Sequence, residues 1–148
     1  MRESLSQLPD HVVAFLRGGQ SVVLATVDLA GQPFTTIMTW VVARDNRTLL
    51  FAVDQRGRAS HNIRANGKVA LEILGDGINY GCRGQARVVG ESMATTPFPS
   101  NKVEVAIEEV RDHTSPGVIF KGPSYTFAGD KQHRVAVEQA IFAELLQL

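Results

Sequence analysis

Apolar positions along the chain change period several times, and each change marks an element. Leu8, Val12, Phe15 and Leu16 fall at helical spacing, Pro9 suits a first helical turn, and Gly18-Gly19 supplies a stop. A helix is therefore expected between Leu8 and Leu16. The period then shortens to two. Val22 to Val27 is a β-branched run, Asp28-Leu29-Ala30-Gly31-Gln32 has turn chemistry, and Phe34 to Val42 reads as a second strand. A further turn at Arg44-Asp45-Asn46-Arg47 leads into Thr48 to Val53, which predicts a three-stranded meander.

From Arg58 to Asn66 the pattern returns to helical, with Ala59, Ile63 and Asn66 on one stripe and Gly67 at a position typical of a helix C′ residue. Val69 to Leu74 and Ile78 to Val89 follow as strands around Gly75-Asp76-Gly77. Gly81 and Gly84 inside the second signal a bulge, a bend or a close backbone approach. Met93 to Asn101, with Pro97 and Pro99, reads as a loop, and Lys102 to His113 as a helix ended by Ser115-Pro116-Gly117. The stretch from Val118 to Asp130 is irregular. In the tail, Val135, Val137, Gln139 and Ile141 alternate as in a strand, whereas the Ala, Glu, Gln and Leu content favours a helix. A strand over its first half is expected, because it would close the sheet. The sum is a mainly β fold: six or so antiparallel strands in a barrel with Greek-key or meander connections, plus short helices.

Composition narrows the possible functions. A chain of 148 residues with 44% hydrophobic positions fits one globular domain across 1–148, large enough to bury a core without staples. Lys+Arg and Asp+Glu number 15 each, so there is no basic field of the kind nucleic acids demand. The single cysteine, Cys82, cannot form an internal disulfide, and the four histidines show no ligand spacing. No bound metal is expected, and a reducing, cytoplasmic setting is. No apolar run approaches the ~20 residues of a membrane span, and the first ten residues carry Glu3 and Asp10 where a signal peptide would be apolar.

The most informative stretch is Phe51-Ala52-Val53-Asp54-Gln55-Arg56-Gly57-Arg58-Ala59-Ser60-His61-Asn62-Ile63. A strand ends there, two arginines flank a glycine, and a helix begins. Main-chain N–H groups at a helix start, with an arginine able to donate two parallel hydrogen bonds, make a site suited to a phosphate monoester. Arg58 is its strongest candidate. The plainer alternative is that Arg56 and Arg58 are solvated loop charges. Trp40 is read as core or interface packing in preference to stacking on a ligand, and Cys82 as a small buried hydrophobe. Glu108, Glu109, Arg111 and Asp112 read as a solvated helix face. No Ser/His/Asp arrangement or phosphate-binding P-loop is present.

Leu24-Ala25-Thr26-Val27-Asp28, then Gly31-Gln32-Pro33, Leu50-Phe51-Ala52, Gly57-Arg58, His61-Asn62-Ile63 and Asn66-Gly67-Lys68-Val69-Ala70-Leu71 occur in an order that resembles the pyridoxamine 5′-phosphate oxidase-like family of FMN-binding split β-barrels. The resemblance covers about half the chain, from Val22 to Val89. It implies a homodimer with two FMN molecules in clefts between subunits, the phosphate held at the strand-to-helix junction. Arg58 matches the family's phosphate arginine, with the amides around Gly57, and Arg56, beside it. Thr36, Ile37, Met38 and Thr39 would line the flavin ring, with Ala52 and Val53 on the neighbouring strand. Asn79 stands where many relatives contact the flavin from the other subunit.

Departures also matter. Gly57 replaces a common serine, Ala59 a common lysine, and Gly67 a usual proline. Thr36 and Val41 replace an arginine and a lysine of true pyridoxamine phosphate oxidases, so the resemblance does not carry that activity. What it implies is an FMN-dependent oxidoreductase acting on an unknown small molecule. The alternatives are a non-catalytic flavin, deazaflavin or haem carrier or sensor, and an interaction protein that has lost its cofactor.

Overall fold

Alternation of buried and outward side chains builds the sheet, and the computed structural model describes it for residues 4–147. In chain order the elements are β1 (Ser4–Leu5), α1 (Asp10–Phe15), β2 (Val22–Val27), β3 (Pro33–Met38), β4 (Val41–Asp45), β5 (Thr48–Asp54), α2 (Arg58–Ala65), β6 (Lys68–Gly75), β7 (Ile78–Gly90), β8 (Ser100–Asp112) and α3 (Arg134–Leu146). The strands form one antiparallel sheet in the order β3-β2-β6-β7-β8-β5-β4, with β1 added to the far end of β8. This is the mainly β, split-barrel architecture expected, with eight strands where six or so were anticipated. The split has a simple origin. β3 and β4 are consecutive in the chain yet lie at opposite ends of the strand order, joined through the two-residue corner Thr39-Trp40.

Three expectations need correction. The stretch from Phe34 to Val42 is two strands, because the corner at Thr39-Trp40 turns the chain from one end of the sheet to the other. The meander is therefore two hairpins, β2–β3 and β4–β5, and β3 does not pair with β5. The predicted helix from Lys102 to His113 is the long strand β8. Val103, Val105 and Ile107 point inward at period two, and then the phase slips. Arg83 pairs with Glu109 but Gly84 with Ile107, leaving Glu108 as the extra residue of a bulge, so Val110 also faces the core. Val103, Ile107 and Val110 thereby acquire the i, i+4, i+7 spacing of a helix.

The third correction is the tail, which is helical from Arg134 to Leu146 and has no strand in its first half. Glu138, Ile141, Phe142 and Leu145 are its buried stripe, and Val135 is exposed, so the alternation through Val135 and Val137 was coincidental. The sheet takes no strand from this segment, and β3 and β4 remain its two ends.

Gly84 and Gly81 behave as their position inside a strand suggests. A Cβ on Gly84 would lie 2.1 Å from the Ala106 carbonyl oxygen at the bulge, and one on Gly81 would strike the His113 ring at 2.3 Å. Gly67 follows the C-cap Asn66 but without left-handed backbone. Its small size is used differently: a Cβ there would sit 2.5 Å from the Ala86 oxygen, where β7 passes and Ala86 N donates to Gly67 O.

Two apolar clusters result. The larger fills the barrel, with Leu24, Phe51, Ile73, Val103 and Val105 among its fully buried members, and α1 with its flanking residues adds Leu8, Val12 and Leu16. Cys82 belongs to it, where burial pushes the thiol up to about 12, in keeping with a small core hydrophobe. The smaller cluster lies outside the barrel wall, where Ile141, Phe142 and Leu145 of α3 cover Val42, Leu50, Ala52 and Met93. β5 is consequently buried on both faces. No helix among the described residues is long and apolar enough to cross a membrane.

Candidate functional site

At the end of β5 the chain turns through Asp54 to Gly57 and enters α2. Gly57 N donates to Asp54 O, and the first bond into the helix is His61 N to Gly57 O. The N–H groups of Arg58, Ala59 and Ser60 therefore precede the ladder, and no side chain caps them. Ser60, the natural candidate to help, turns inward instead: its hydroxyl donates to Asp54 O at 2.9 Å and accepts from Asn101. Three unpaired donors at the positive end of an eight-residue helix favour an anion.

Arg58 and Ala59, the first two of these residues, line a cleft of about 380 Å³, within the roughly 300–1,000 Å³ range of small-molecule sites. One wall is β3 with its following corner, from Phe34 and Thr36 through Ile37, Met38 and Thr39 to Trp40. The floor is Ala52, Val53 and Asp54 of β5; Gly57, Arg58 and Ala59 form the helix end, and Phe98 closes one side. Eight of the ten residues singled out from the sequence meet here: Thr36, Ile37, Met38, Thr39, Ala52, Val53, Gly57 and Arg58.

Arg58 is exposed at the mouth, its guanidinium 5.4 Å from the centre of the Phe34 ring, and it forms no ion pair among the described residues. A cation held against an aromatic face keeps its outer N–H groups available. Arg56 and Asn79 lie outside the cleft lining. The Arg56 guanidinium is engaged by Asp54, with Nε 3.2 Å from one carboxylate oxygen and an Nη 3.2 Å from the other. Those hydrogen bonds hold the Asp54 carboxyl below its ordinary value and raise Arg56. The pair offsets the negative charge that Asp54 brings to the cleft edge. Asn79, at the start of β7, is buried; its Nδ2 donates to His113 O at 3.2 Å while Oδ1 has no hydrogen-bond partner.

Sequence reasoning missed Phe34, Phe98 and the placement of Trp40. Trp40 is half-buried at the corner, its ring 5.4 Å from that of Phe98 and packed on the outer cluster, so it serves packing and cleft wall together. The one available signal for Phe98 was an aromatic held between Pro97 and Pro99. Among the described residues no three His, Cys, Asp or Glu side chains gather as a metal site requires.

Comparison with known proteins supplies the family. A model of the pyridoxamine 5′-phosphate oxidase family matches residues 8–120, more than half of the chain. The chain belongs to this family. No curated protein sequence matches it. Among solved structures, HupZ of Group A Streptococcus superposes with a TM-score of 0.63 at 19% identity, covering 80% of this chain and 100% of that one. A candidate pyridoxamine 5′-phosphate oxidase from Lactobacillus delbrueckii gives 0.60 at 25% identity over 72% of this chain and 99% of its own. HutZ, described as a haem storage protein of Vibrio cholerae, gives 0.57 at 13% identity over 72% and 94%. The family match ends at residue 120, before α3.

Proposed function

We propose that the cleft binds FMN and that this member of the pyridoxamine 5′-phosphate oxidase family is a flavin-dependent oxidoreductase acting on a small molecule. One observation carries the reading: three uncapped N–H groups and an otherwise unpaired arginine stand at one end of a mostly apolar cleft. The phosphate fits the amides of Arg58, Ala59 and Ser60, with Arg58 closing over it. The ring fits along Thr36 to Thr39 above Ala52 and Val53. β3 pairs on one side only, with β2, so its outer main-chain groups are available to the ring's polar edge. Bound there, the flavin supplies hydride or electron transfer. The chain's contribution is placement: the cradle fixes the phosphate, the apolar walls exclude water, and the neutralised Asp54 keeps repulsion away from the mouth.

Pyridoxamine phosphate oxidation is not the proposed reaction. Val41, where true oxidases carry a lysine, is fully buried in the barrel core, and Thr36 offers no charge. A homodimer belongs to the proposal. β3 is an edge strand exposing Phe34 and Ile37, the latter 67% exposed beside the cleft, and a second subunit would cover them. Asn79, outside this chain's own cleft, is then assigned to the partner's.

An absorption spectrum of purified protein, followed by FMN titration read through flavin fluorescence, tests the reading. Quenching to a one-to-one endpoint, and bleaching of the bound flavin by a reduced nicotinamide nucleotide, are the expected results. A colourless protein that leaves FMN fluorescence unchanged refutes cofactor binding. Flavin that binds without bleaching points to a carrier, and a Soret band in place of flavin absorption points to haem.

A further inference from the structure

Beside the cleft lies a second cavity of about 470 Å³, reached past Thr39, Trp40 and Phe98, which line both. Its remaining wall comes from Phe127 and from the start of α3, where His133, Arg134, Val137 and Glu138 face it. We propose that this cavity binds the reacting small molecule, a flat ring-bearing acid that also carries an N–H or O–H donor.

Three aromatic side chains, Trp40, Phe98 and Phe127, present the apolar surface that a flat ring occupies. Arg134 is exposed, opens the thirteen-residue helix α3, and forms no ion pair among the described residues. It is therefore free to meet a carboxylate, and the helix end beneath it has the same sign. Glu138 lies one turn further along. It is only 8% exposed, and its Oε1 accepts the Tyr125 hydroxyl at 2.9 Å. An ionised carboxylate accepts about four hydrogen bonds, so capacity remains for a donor on the ligand. Residues i and i+4 of a helix lie about 5–6 Å apart at Cβ, a spacing that one substituted ring can bridge. Phe127, Arg134 and Glu138 all lie beyond residue 120, where the family match ends, so this chain's own C-terminal segment sets the preference. That the bound acid reacts rests on the flavin reading of the adjoining cleft; that it binds does not.

Calorimetric titration with 4-aminobenzoate, benzoate and aniline, with and without FMN, separates the two. Saturable binding of 4-aminobenzoate is expected, with benzoate weaker and aniline weaker still. Arg134→Gln should weaken both acids by roughly tenfold or more, the loss typical of a charged hydrogen bond. Glu138→Gln should weaken 4-aminobenzoate alone. If Glu138→Gln does not fold, Val137→Trp, which fills the cavity from a half-buried position, should abolish binding of 4-aminobenzoate while FMN still titrates. No binding of any probe, or binding indifferent to Arg134→Gln and to Val137→Trp, overturns the proposal. Binding of 4-aminobenzoate by a protein that refuses FMN supports the cavity and removes only the flavin reading.

Discussion

Replacing Arg58 with alanine isolates one interaction of the proposed phosphate cradle, because the substitution leaves the rest standing. Position 58 is the first residue of α2, where alanine is compatible with the helical backbone, and the amides of residues 58 to 60 stay in place. The side chain is exposed, its only described contact the Phe34 ring, so its removal opens no cavity. On the proposed reading, what disappears is a charge-assisted hydrogen bond to the phosphate, worth about 1.5–3 kcal/mol. Exposure to solvent screens the charge and places the loss near the lower bound, about 1.5 kcal/mol or roughly tenfold in Kd. The assay is fluorescence titration of FMN and, in parallel, of riboflavin, which lacks the phosphate. FMN affinity should fall about tenfold and lose part of its salt dependence, while riboflavin affinity should change by less than about twofold. Equal losses for both ligands would refute the reasoning, since they would mean that Arg58 shapes the cleft without touching the phosphate. An unchanged FMN affinity would refute it as well.

Other expectations concern the scaffold. Gly84→Ala forces a Cβ against the Ala106 carbonyl at the β7–β8 bulge and should cost about 1–3 kcal/mol in urea unfolding; an unchanged midpoint would show that the bulge relaxes freely. Burial alone would raise Glu144, but hydrogen bonds from the Thr95 hydroxyl and the Ala94 and Thr95 amides, with Lys102 nearby, leave it below its ordinary 4.5. The folded chain thus releases this proton more readily than the unfolded one. Its contribution is complete above about pH 4.5 and is lost as pH falls through the folded value. Glu144→Gln should therefore lower stability at neutral pH and flatten the acid limb of an unfolding-versus-pH curve, whereas parallel curves would exclude the effect. Cys82, buried with its thiol pushed up to about 12, should react with a thiol reagent only after denaturant is added. Rapid labelling of the native protein would contradict its place in the core.

Much of the fold could be read before the structure, where a single face decides the pattern. β2 and β6 alternate cleanly because each shows one side to the barrel, and α2 begins at Arg58 because Gly57 breaks the strand pattern. Reading failed where two demands overlapped. The bulge at Glu108 gave β8 the spacing of a helix, and the second apolar cluster gave α3 a buried stripe that a barrel alone does not require. The β3 and β4 segments look like one strand because nothing local in Thr39-Trp40 announces a corner; only the return of the sheet upon itself demands it. The junction at Gly57 and Arg58 was legible from the residues themselves, while Thr36 to Thr39, Ala52 and Val53 came into view only through the family resemblance. Arg58 already stands above Arg56 as a candidate in the sequence, but the physical distinction appears only in the structure, where the Asp54 carboxylate engages Arg56 and leaves Arg58 free. The C-terminal wall of the second cavity depends on where an irregular segment brings Phe127, which no local pattern foretells.

The double covering of β5 has a consequence for how this protein tolerates change. Leu49, Phe51 and Val53 look into the barrel while Leu50 and Ala52 lie under α3, so the run has no side on which a replacement goes unnoticed. Saturation mutagenesis should find Leu49 to Val53 among the least permissive stretches of the chain. Variation has room instead at exposed positions where α3 begins, such as His133 and Arg134, which border the second cavity, so new ligand preferences can accumulate there while the proposed cradle stays constant.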